Sequence, residues 1–312
     1  MKFGRSASII STSEKALATS RASEWWKHKG FMHLYQHFRK GPSNDGMDIF
    51  DHAQSTAEIA AALKLRNITF GNYVSNNDRY NYLAMLCVGS VDLMNIVNIP
   101  QFGFGKLAMK FGAAGVPRSL AHFRPSDVSI NLNRFKRGHQ IGGDGDGMAS
   151  LAHEYAHFLD QLFGHQVELK QNSFALTFRG KGNGSTSANM DELKEWAKGY
   201  PMRTAMAELM ASIILKPDGS KSEYWQRIST TKNSSYYKLH HEIFARTFEQ
   251  WIHYKLQNND VNNRGLTKYK YLDRVYLTDA EFRRALPKMN RLAEIISRTT
   301  GGGKRSAKVA SK

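Results

Sequence analysis

Met148–Phe163 reads MASLAHEYAHFLDQLF. Leu151, Tyr155, Phe158, Leu159 and Leu162 recur at helical spacing, so the segment is expected to form a buried helix. Within it stands His153-Glu154-Tyr155-Ala156-His157, an H-E-x-x-H pattern. Positions i and i+4 of a helix lie one above the other on one face. His153 and His157 can therefore offer two imidazoles to one zinc ion. Glu154 lies about 100° further round the helix, beside the metal rather than on it. There it can take a proton from water and pass it to a leaving amine.

Two histidines do not complete such a site, which takes a third protein ligand and keeps one position open. The residue six places after His157 is Phe163, and His165 follows Gly164, where the helix is expected to break. The third ligand is then expected to be a carboxylate from a later helix, the gluzincin arrangement. Glu208 in AELMASII and Glu242 in HHEIFARTFE both open an E-x-x-A pattern, whose small Ala lets two helices pack closely. Glu249 is a further candidate. Asp160, one turn beyond His157, is the expected carboxylate behind the ligands and a partner for Arg246. His240 and His241 flank the site, one of them in reach of an oxyanion.

The rest of the chain frames this helix. Residues 1–45 read as a helical extension, with a cap at Ser11–Glu14 and a break at Gly41–Gly46. Residues 46–297 form the main domain, and residues 298–312 a flexible basic tail. Ala57–Leu65 is expected to be helical, Ile68–Val74 a strand, and Asp78 the start of a long helix. Ser129–Phe135 alternates as a strand should, and Gly138–Gly147 reads as a connector, not a calcium loop. The fold class is α+β, mostly helical with a small sheet.

Composition narrows the classes further. The one cysteine, Cys87, excludes a disulfide framework and a cysteine-built zinc site. No apolar run approaches the roughly 20 residues that span a bilayer, and the basic start, broken by Ser, Thr and Glu, reads poorly as a signal peptide. A cytoplasmic protein with no membrane partner is expected. The 312 residues hold 44 Lys and Arg against 27 Asp and Glu, a formal charge of +17. Residues 251–312 hold 14 against 5, a net of +9. Such a region suits non-specific contact with nucleic acid.

Five ordered segments carry a wider resemblance: LRNITFGNYV (65–74), NNDRYNYL (76–83), KLAMKFGAAGVPRSLAHFRPSDVSINLNRF (106–135), SLAHEYAHFLD (150–160) and EIFARTFEQW (242–251). Together, over about residues 65–295, they resemble the zincin-like domain of large polyvalent proteins of phages and conjugative elements, the large polyvalent protein-associated domain 1. E-x-x-A-R-x-F also resembles the glutamate helix of several gluzincins. The resemblance implies a zincin α+β fold and a zinc-dependent metallopeptidase of a phage or mobile element, acting on protein or peptide in a bacterial host cell. It implies zinc on His153, His157 and Glu242, with Glu154 as base. In that fold class the strand before the histidine helix lies at the cleft rim. Ala114 departs from the arginine common in the family, and Gly138–Gly147 is an insertion. The alternative is a non-catalytic, DNA-associated or virion protein on the same scaffold.

Overall fold

The computed structural model describes residues 38–113, 120–133, 147–167, 175–178, 185–197, 200–268, 271 and 274–302. Residues 1–37, most of the Gly138–Gly147 connector, Ala114 and residues 303–312 lie outside the described residues. Within them the chain is α+β, with helices predominating over two small sheets.

The first elements are β1 (Arg39–Lys40), α1 (Gly46–His52), α2 (Thr56–Ala62), β2 (Asn67–Phe70) and α3 (Asn76–Val97). The strand expected over 68–74 ends at Phe70, because the chain turns at Gly71, whose carbonyl accepts from Val74 N–H. The long helix starts two residues before Asp78. Ser75 is its cap and its side chain accepts from Asp78 N–H. Residues Asp78–Val97 are long and apolar enough to cross a membrane, contrary to the expectation, but 89% of that stretch is buried inside the fold. A core helix covered on all sides shows the same apolar composition.

The main sheet runs β2-β3-β5-β4, with β3 (Ala108–Phe111), β4 (Ala121–Arg124) and β5 (Ser129–Leu132). β2, β3 and β5 are parallel, whereas β4 is antiparallel to β5. The hairpin turns through Pro125–Asp127, where Asp127 is bound by Lys110 Nζ at 2.6 Å and by Ser129 Oγ at 2.7 Å. This arrangement corrects the rim assignment. β5 is interior and buried along its length, and β4 is the end strand among the described residues. The expectation failed because β5's Asn131 is buried. Its amide is spent on Asn133 and on the Ala113 N–H, so a polar residue mimics an exposed face.

α4 (Leu151–Val167) packs on β4 and β5 and against a later helix. Phe102 stacks on Tyr155 at 4.4 Å, and Tyr155 Oη donates to Phe102 O. Gly164 does not end the helix. It permits close approach, since a Cβ there would lie 2.5 Å from the Ala175 backbone. There follow α5 (Met190–Ala197), α6 (Pro201–Ile214), α7 (Glu223–Ser229), α8 (Ser234–Tyr237), α9 (His240–Asn258), β6 (Asn262–Asn263) and α10 (Asp279–Thr300). β1 pairs with β6, and Arg39 forms a two-pronged pair with Asp92 at 2.9 Å, so Phe38–Lys40 are packed onto the same body. α10 begins with a Thr278–Glu281 capping box and ends at Gly301 in the left-handed region. Several of its cations face acids: Lys288 and Arg291 meet Glu208, and Arg298 meets Glu294.

Candidate metal centre

α4 and α9 lie against each other, and the contact brings three ligand-type residues together. His153, His157 and Glu242 each place one donor atom within 4.8 Å of the others. His153 Nε2 is 3.6 Å from Glu242 Oε2, and His157 Nε2 is 3.4 Å from Glu242 Oε1. The two rings stand 5.0 Å apart at 81°. Zinc bonds of roughly 2.0–2.1 Å in a tetrahedron set donor–donor edges of about 3.4 Å, close to these spacings. Glu242 lies in the first turn of α9, where free N–H groups favour negative charge.

The electrostatics are those of two imidazoles meeting a buried carboxylate. Burial would lower the His153 pKa, but Glu242, Glu249 and Glu154 hold it up to about 9. Burial would raise that of Glu242, yet His153 and His157 hold it well below the usual carboxylate range. Its Oε2 is buried and receives no well-aligned hydrogen bond, although Arg246 Nη2 stands 2.9 Å away as an ion pair. A buried, under-satisfied carboxylate oxygen facing two imidazole nitrogens fits a divalent metal.

The remaining sequence candidates fall into place individually. Glu154 is buried beside the cluster. Burial raises its pKa, while His153, His157 and a backbone hydrogen bond from Phe123 of β4 act the other way. Glu208 sits away from the site, paired with Lys288 and Arg291. Glu249 is not among the three clustered ligands. Its Oε2 is 3.5 Å from His153 Nδ1, so it supports the far side of that ring. Tyr271 and Tyr276 donate to Glu249 in turn, and Lys268 Nζ bonds Tyr276 Oη at 2.8 Å.

Two expectations need correction. Asp160 does not pair with Arg246. Its carboxylate accepts from Thr177 N–H at 2.9 Å and Thr177 Oγ1 at 2.7 Å, and burial lifts its pKa to about 6. It thereby pins the 175–178 segment, which Arg203 Nη1 also grips through the Leu176 carbonyl. Arg246 instead pairs with Glu242, one turn earlier on its own helix. His240 is buried, with Nε2 on the Ser187 carbonyl, whereas His241 sits 5.6 Å from the His157 ring and lines the cleft.

One participant escaped the sequence reading. Arg246 lies over the rings of Tyr236 and Tyr237, and burial, then the Glu242 carboxylate, raise the Tyr236 phenol pKa. The signal available was Tyr236's position six residues before Glu242, too common a pattern to single out. A cleft of about 470 Å³ opens beside the cluster. His157, Glu242 and His241 form one side, Phe123 and Pro125 the rim, and Asp160, Gln161, Ala175, Phe178 and Leu239 the remainder.

Residues 228–299 match the family model of the large polyvalent protein-associated domain 1. No curated protein and no solved structure matches the chain. The matched stretch is less than a quarter of the chain. It contains α9 with Glu242, Arg246 and Glu249, the Tyr271–Tyr276 support and nearly all of α10. His153, Glu154 and His157 lie outside it, so the large polyvalent protein-associated domain 1 match covers one of the two helices that build the cluster.

Proposed function

We propose that this chain is a zinc-dependent metallopeptidase of gluzincin type, with a zincin-like fold, from a phage or mobile element. The reading is carried by one observation: His153, His157 and Glu242 converge with donor spacings close to the edges of a zinc tetrahedron. His153 Nε2, His157 Nε2 and a Glu242 oxygen would hold the ion. Zinc, when bound, supplies Lewis-acid polarisation of a peptide carbonyl and acidifies water.

The chain's own groups do the rest. Glu154 is a carboxylate whose pKa burial raises, which suits a base that takes a proton from water and returns it to the departing amine. Burial lowers the His241 pKa to about 4, so its ring is neutral near pH 7 and can donate an N–H to an oxyanion. Tyr236 Oη, beside Glu242, is a second donor. β4 offers an end strand to an extended substrate, with Phe123 and Pro125 at the cleft rim.

Glu154→Gln tests this directly. It keeps shape and ligands but removes the base, so zinc should stay and peptide hydrolysis should fall at least about a hundredfold. Hydrolysis at the wild-type rate would refute the mechanism.

A further inference from the structure

The cleft beside the metal-binding cluster is larger than three ligands require, at about 470 Å³. We propose that it is a specificity pocket for a bulky, uncharged apolar side chain, aromatic or branched aliphatic, on the residue adjoining the scissile bond. This rests on the peptidase reading above and adds the substrate class.

The walls are Phe123 from β4, Ala175 and Phe178 from the segment pinned on α4, and Leu239 just before α9. Two polar residues also line the space, and both have bonds directed elsewhere. Asp160 accepts from Thr177 through both carboxylate oxygens. Gln161 Nε2 donates to the Pro125 carbonyl at 3.3 Å. An acidic side chain entering here would meet Asp160 and Glu242. An ammonium or guanidinium would exchange water for aromatic walls and a carboxylate already engaged. An apolar side chain meets neither cost and gains from leaving water.

The pocket wall is also fixed in place, as selectivity requires. Gly164 allows Ala175 to approach the helix, and Asp160 and Arg203 hold Thr177 and Leu176. Since one methylene in an apolar pocket changes binding about tenfold or more, a fixed wall can discriminate strongly.

The test uses the full chain loaded with zinc and four peptidyl hydroxamates that differ only in one side chain, Leu, Phe, Asp or Lys. Calorimetry reads binding without requiring turnover. Leu and Phe should bind at least about tenfold more tightly than Asp and Lys. Ala175→Trp, which fills the pocket, should remove the Phe advantage at unchanged zinc content. If that variant does not fold, Phe178→Ala should reduce the Phe advantage. Equal affinities, or a preference for Lys or Asp, would overturn the pocket while leaving the zinc reading standing. Failure of the wild type to hold zinc would overturn both.

Discussion

His153 is held between two glutamates of a single helix: Nε2 lies 3.6 Å from Glu242 and Nδ1 lies 3.5 Å from Glu249. Seven residues make nearly two full turns of an α-helix, so Glu242 and Glu249 project from almost the same side of α9. One carboxylate faces the metal position and the other fixes the ring behind it. A carboxylate on the distal nitrogen sets the tautomer and makes the other nitrogen a better ligand.

Glu249→Gln is therefore expected to weaken zinc binding by about 10–100-fold while leaving the fold intact. Chelator competition measures this, with Glu208→Ala as the control that should change nothing. An unchanged affinity in Glu249→Gln would remove the supporting role.

Zinc binding should also be linked to protons. In the metal-free chain His153 has a pKa raised to about 9, so near neutrality it carries a proton that the metal must displace. Apparent affinity should rise by up to about tenfold per pH unit below that value and then level off. The same raised pKa gives the metal-free fold a contribution that is full below the model value of 6.5 and is lost as pH rises through about 9. Calorimetry in buffers of different ionisation enthalpy should show proton release at pH 7. A binding curve flat between pH 6 and pH 8 would contradict the linkage.

Asp160 is expected to matter through packing. Asp160→Ala leaves the buried Thr177 N–H and hydroxyl without their acceptor, at a cost of about 1–3 kcal/mol. Thermal unfolding should fall by several degrees, with zinc still bound by the intact cluster. A variant as stable as the wild type would show that the 175–178 wall is held by other contacts.

Local periodicity made part of this legible. The spacing of His153 and His157 placed both rings on one helix face, and the small Ala245 beside Glu242 suggested close helix packing. Contacts between distant segments were not legible. Asp160 was read as a support for the ligands because it lies one turn past His157, whereas its true partner is Thr177, on a segment no local pattern brings near. Glu249 was read as a rival ligand. Its spacing from Glu242 showed the shared face, but nothing in the sequence showed that the outer nitrogen of His153 would meet it. Gly164 looked like a helix end because glycine is a poor helix former, and here close packing against Ala175 outweighs that propensity. The end strand was assigned to β5 instead of β4, since alternation cannot tell an exposed Asn131 from a buried, fully bonded one.

The most direct test of the account is the zinc content of the purified chain beside that of Glu242→Ala and Glu208→Ala. The account predicts about one zinc per wild-type and Glu208→Ala chain, and marked loss in Glu242→Ala. A wild-type chain without zinc, or one that keeps it in Glu242→Ala and loses it in Glu208→Ala, would contradict the central claim.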